Sequence, residues 1–111
     1  MIDFAVHTRD DGVGVVVPQG RLNMVSARRL KELLSELVAG GTVRIVVDMA
    51  ETTFLDSSGL GALIGGLKAA RQAGGDLRIA RPTPAVTTVF ELTNLDRVLR
   101  AREDVDGAFD D

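Results

Sequence analysis

The chain has 111 residues, a formal net charge of −3, 45 % hydrophobic and 26 % charged residues, and no cysteine. That length supports one hydrophobic core without staples, and the lack of cysteine excludes disulfides, thiolate metal sites and cysteine nucleophiles. Scattered basic residues, no Trp or Tyr and only four Phe argue against a nucleic-acid-binding surface. No segment approaches the ~20 apolar residues of a membrane span, and Met1-Ile2-Asp3-Phe4 begins nothing like a signal peptide. The expectation is one domain over residues 1–111, cytoplasmic, with neither a membrane nor a nucleic-acid partner. All the basic residues except Lys31 and Lys68 are Arg, a bias typical of GC-rich bacterial genomes.

Phe4 to Thr8 predicts a short strand, Arg9-Asp10-Asp11-Gly12 a hairpin turn, and Val13 to Val17 a second strand paired with the first. Gly20-Arg21-Leu22-Asn23 leaves that strand, and Ser26 is available to cap the next helix. Leu30, Leu33, Leu34 and Leu37 fall at i, i+3, i+4 and i+7, one face of a helix that Gly40-Gly41 ends. Val43 to Val47 is a nearly continuous apolar run, as in a central strand. An acid-and-hydroxyl turn follows, then a helix to about Gln72 that closes on Gly74-Gly75. Asp76 to Ala80 is a strand. Thr83 caps a helix with Pro84 at its first position and Val86, Val89, Phe90 and Thr93 inward. A last short strand is placed at Val98-Leu99, with room for a final helix, and the tail from about Arg102 is acidic and solvated. The fold class is α/β: a mixed sheet, an N-terminal antiparallel hairpin plus parallel strands, with helices packed on it.

The stretch Phe54-Leu55-Asp56-Ser57-Ser58-Gly59-Leu60-Gly61 carries the chemistry. It places Asp56, Ser57 and Ser58 at a helix start, where unpaired backbone N–H groups and the positive end of the dipole accommodate a phosphate. Capping alone explains an Asp-Ser pair equally well, and the two readings are compatible. Gly59 and Gly61 do not make a nucleotide site: Ile64 stands where a third small residue is needed, and no Gly-Lys-Ser/Thr follows. A serine hydrolase is excluded, since the one histidine, His7, belongs to the first strand and no nucleophile elbow surrounds Ser57. Asp48 and Asp56 are a strand-end residue and a cap, not a metal pair, and the tail acids lack calcium-loop spacing. No cofactor, metal or catalytic constellation is expected.

With Gly20-Arg21-Leu22-Asn23 upstream and Val43 to Asp48 before the turn, Asp56-Ser57-Ser58-Gly59-Leu60-Gly61 resembles a single-domain STAS protein of the anti-sigma factor antagonist type, over nearly the whole chain. The resemblance implies a partner switch. The unphosphorylated protein binds an anti-sigma factor that is also a serine kinase, freeing the sigma factor. The kinase phosphorylates the hydroxyl after the motif acid, here Ser57, and lets go, and a metal-dependent serine phosphatase resets the system. The docking surface expected around Ser57 comprises Asp56, Ser58, Gly59, Leu60 and Gly61 with Arg21, Asn23, Met24 and Ser26. The family often has Asp where this chain has Asn23, which keeps hydrogen bonding and loses charge. Free protein is expected to be a monomer. The competing expectation is a phosphorylation-independent subunit or scaffold, as beside a transport ATPase.

Overall fold

In the computed structural model, residues 3–99 and 101–109 are described. The elements are β1 (Asp3–Thr8), β2 (Gly14–Leu22), α1 (Met24–Ala39), β3 (Arg44–Asp48), β4 (Thr52–Leu55), α2 (Ser57–Gln72), β5 (Asp76–Ala80), α3 (Pro84–Leu92), a 3-10 turn (Leu95–Arg97) and β6 (Ala101–Arg102). The sheet runs β1-β2-β3-β5-β6, antiparallel only between β1 and β2. The mixed α/β architecture expected from the sequence is what forms.

Five local expectations are corrected, the last of them the course of the tail. The second strand does not stop at Val17; it extends to Leu22, because its far end finds a partner the sequence did not suggest. That partner is β4, a separate strand after β3, paired parallel to β2 through Gly20–Thr52, Arg21–Phe54 and Leu22–Leu55. A bulge between Gly20 and Arg21 shifts the register, with Gly20 at φ +99, a conformation that suits glycine. The last strand is at Ala101–Arg102, since a 3-10 turn occupies the preceding stretch, and Leu99 is buried as core. No helix follows β6 among the described residues.

The fourth correction concerns the cap of α1. Asn23 is the N-cap: its Oδ1 accepts from the backbone N–H of Val25 (3.1 Å) and Ser26 (3.3 Å). Ser26 sits three residues later, and its Oγ accepts from Asn23 N–H (2.9 Å) and donates to the carbonyl of Arg21 (2.8 Å). The two residues close a reciprocal capping box with serine in the place usually held by Glu or Gln. The other caps match the sequence: Asp56 for α2, and Thr83 with Pro84 at the first position for α3.

The helices lie over one face of the sheet. Leu30 and Leu34 of α1, Leu63 and Leu67 of α2, and Val86 and Phe90 of α3 meet Ile45, Val47, Leu77 and Ile79 in one cluster. Alternate residues of the same strands point the other way, as a period of two requires. Val46 and Ala80 join Val13, Ala108, Val105 and Phe109 in a second cluster on the opposite face. So the tail is not simply a solvated acidic segment. It folds back, and Arg78 holds it by donating from Nη1 to the Ala108 carbonyl (3.0 Å) and by stacking on Phe109. The reason is that β3 and β5 are apolar on both faces, and leaving the second face wet would cost about 25 cal/mol per Å².

Two pairs of helical glycines separate by packing. A Cβ on Gly59 would stand 2.7 Å from the Leu22 carbonyl oxygen and 2.6 Å from Leu55 Cδ1, and one on Gly66 2.5 Å from Leu34 Cδ1. At Gly61 and Gly65 it would meet nothing within 4 Å. Gly59→Ala is expected to cost about 1–3 kcal/mol through overpacking, while Gly61→Ala gains up to about 1 kcal/mol of helix propensity. Urea unfolding midpoints of the two variants check this, and equal shifts would refute it. The same assay applies to the cap. Asn23→Ala is expected to cost about 1 kcal/mol. Asn23→Asp retains the acceptor and adds a charge the helix dipole favours, so it should match or exceed the parent by about 0.3–1 kcal/mol.

Candidate functional site

The pairing of Leu22 with Leu55 brings the ends of two parallel strands together, and each strand feeds directly into a helix. Asn23 and Asp56 cap those helices in equivalent positions, and the Asp56 N–H donates to the Leu22 carbonyl (3.3 Å). Met24 and Ser57 are therefore the first residues of adjacent helices. The positive ends of two helix dipoles emerge at one edge of the molecule.

Asp56 is half-buried, and its Oδ1 accepts from Gly59 N–H at 3.0 Å. Ser57 is exposed, and its hydroxyl makes no hydrogen bond among the described residues. The cap and the candidate acceptor are thus different residues: Asp56 satisfies the helix start and leaves the Ser57 hydroxyl unengaged. Ser58 is half-buried and lines a shallow groove between α1 and α2 with Met24, Arg28, Lys31 and Gly61. Arg21 is exposed, lines a separate cavity with Asn23, Val25 and Arg29, and stacks on the Phe54 ring, 4.3 Å from its centroid. Met24 is 68 % and Val25 80 % exposed, large apolar side chains presented to solvent at the head of α1.

Of the residues singled out in the sequence, Asp56, Ser57, Ser58, Gly61, Arg21, Asn23 and Met24 come together at this edge. Gly59, Leu60 and Ser26 are buried and lie beneath it. Gly59 lets α2 approach the end of β2, Leu60 packs into the core, and Ser26 completes the α1 cap. Sequence reasoning missed Arg28 and Lys31, whereas Val25 lies within the segment Arg21 to Ser26 that it singled out. Arg28 and Lys31 follow Met24 at i+4 and i+7, so the helical period was the signal that could have found them.

Asp48 and the histidine lie away from this edge. Asp48, buried at the end of β3, accepts from Ala50 N–H (3.2 Å) and from the Arg81 guanidinium (Nε, 3.1 Å, and Nη2). That hydrogen-bonded carboxylate raises the Arg81 pKa above its ordinary value. Arg81 adopts φ +50, so the ion pair holds a non-glycine residue in the left-handed region. His7 is exposed on edge strand β1, opposite Val15. Among the described residues no group of three or more His, Cys, Asp or Glu is placed to hold a metal ion, and no helix is long and apolar enough to cross a membrane.

Comparison with known proteins agrees with this fold. The STAS domain model matches residues 5–108. An anti-sigma-B factor antagonist of Staphylococcus aureus is 31 % identical over 84 residues, which cover 76 % of this chain and 78 % of that protein. The crystal structure of an anti-sigma factor antagonist from Mycobacterium paratuberculosis superposes with a TM-score of 0.87 at 28 % identity, covering 99 % of this chain and 92 % of the other. A Thermotoga maritima protein described as an anti-sigma factor antagonist gives a TM-score of 0.88 at 27 % identity, covering 96 % and 92 %. The chain belongs to the STAS domain family, in its anti-sigma factor antagonist group.

Proposed function

We propose that this protein is an anti-sigma factor antagonist working in the cytoplasm as a single domain without catalytic activity of its own. Its partner is an anti-sigma factor with serine kinase activity, and phosphorylation of Ser57 ends their association. The observation that carries this reading is the exposed Ser57 hydroxyl at the first position of α2, left unengaged because Asp56 takes the capping role. Exposed Met24, which lines one groove with Ser58, and exposed Val25 next to it in α1 supply apolar contact area for a partner.

Physical chemistry supports a switch at this place. A phosphate adds about −1.5 to −2 charge. At the start of α2 the helix dipole and free N–H groups offset part of that charge, so the fold tolerates it. A partner packed against a neutral hydroxyl meets a bulky, strongly hydrated anion instead. Each 1.4 kcal/mol lost there weakens binding about tenfold. A serine phosphatase that removes the phosphate restores the binding form.

The purified protein, incubated with ATP and the anti-sigma factor kinase encoded nearest its gene, is expected to gain one phosphate on Ser57, located by tandem mass spectrometry. Ser57→Ala should bind the kinase as the parent does and take up no phosphate at that position. Ser57→Glu should bind at least about tenfold more weakly, the equivalent of 1.4 kcal/mol. Phosphate appearing only elsewhere on the protein, or no phosphate from a kinase shown to be active on another antagonist, overturns the proposal.

A further inference from the structure

The chain carries a net negative charge, and several of its arginines are spent on internal pairs: Arg9 with Asp11 and Asp106, Arg71 with Asp76, and Arg81 with Asp48. Arg28 and Lys31, like Arg29, Lys68 and Arg97, are left out of such pairs. The first two are exposed, and among the described residues neither makes an ion pair or a hydrogen bond. They sit one helical turn apart on the side of α1 that faces the start of α2, and with Met24, Ser58 and Gly61 they line one groove. The acids of the same helix, Glu32 and Glu36, line a different groove, against Phe4 and Val6 of β1. The floor of the first groove is low, because Gly61 offers no side chain and nothing of this protein comes within 4 Å of where its Cβ would be.

From this arrangement we infer that the groove between α1 and α2 receives an acidic segment of the partner protein. Met24 inserts into an apolar patch, and Arg28 and Lys31 pair with carboxylates flanking that patch. Charge complementarity of this kind speeds encounter and fixes orientation more than it adds affinity. It also gives the phosphate a specific target. A phosphate on Ser57, next to groove-lining Ser58, brings a charge of about −1.5 to −2 beside two cations and cancels the field the partner recognises. A nucleic acid is the poorer fit: two cations around a methionine are too few to follow a phosphate backbone, and no aromatic side chain lines the groove for a base to stack on.

This inference rests on the proposed partner, and the test separates the two. Binding of the full-length protein to the anti-sigma factor kinase is measured by calorimetry at about 0.1 M and about 1 M salt, where the screening length falls from about 10 Å to about 3 Å. The parent should weaken as salt rises. Arg28→Gln with Lys31→Gln, a change nearly neutral in helix propensity, should bind about five- to tenfold more weakly at low salt, as expected for two exposed ion pairs, and should lose most of the salt dependence. Ser57→Glu should show the same flattened dependence. Arg71→Gln, at the far end of α2, is the control and should behave as the parent. Circular dichroism melting confirms that each variant is folded.

If the parent binds and the double variant binds equally well at both salts, the acidic-partner inference falls while the antagonist function stands. If the parent binds no anti-sigma factor kinase, both fall. Tighter binding of duplex DNA or of phosphatidylserine vesicles than of the kinase, lost in the double variant, overturns the inference in favour of a polyanion.

Discussion

The parallel pairing of the last residues of β2 with β4 is the constraint on which the site depends. β3 ends at Asp48, and a short turn carries the chain back alongside the unused half of β2. Without that second partner, the end of β2 would present an unpaired strand edge, and α1 and α2 would have no reason to begin side by side. With it, Leu22 and Leu55 align, both buried, and the next residue of each strand becomes a helix cap. The bulge after Gly20 and the missing side chain of Gly59 let these two helix starts approach so closely.

The electrostatics follow from that geometry. Two helices aligned from adjacent parallel strands add their dipoles at one edge, and basic side chains from α1 extend the positive field along the groove. An overall acidic protein thus presents a locally basic face. The division of labour between Asp56 and Ser57 matters as much. A hydroxyl that caps its own helix is a poor switch, because modifying it would remove the cap and unsettle the element that presents it. Here the carboxylate of the preceding residue holds the helix start, so the switch proposed at the serine would leave the backbone in place.

The opposite face of the sheet shows a second economy of the fold. β3 and β5 are buried on both sides although helices cover only one. The other side is closed by the C-terminal segment through Val105, Ala108 and Phe109, locked by Arg78. Arg78 is itself buried, and it is tolerated because Asp76, the Ala108 carbonyl and the Phe109 ring surround its guanidinium. The helix face is therefore the one left to carry function, and its exposed apolar residues Met24 and Val25 stand at the shared helix starts.

Local patterns in the sequence determined the α/β class, the three helices, the hairpin, the central position of β3 and the Asp-Ser-Ser turn. Those features follow from nearest-neighbour chemistry: a leucine period of 3–4 residues, a β-branched run, Asp-Gly and the Pro82-Thr83-Pro84 punctuation. What only tertiary structure decided was everything set by contacts distant in the chain. β4 is four residues long and gains strand character from β2, about thirty residues earlier. Ser26 yields the cap to Asn23 because its hydroxyl is drawn to the Arg21 carbonyl. The acidic tail folds inward because a bare sheet face awaits it. The same rule divided the site. The proposed acceptor and its neighbours were legible because they are contiguous, whereas Arg28 and Lys31 join the same groove as Ser58 only because two helices from separate strands are brought side by side.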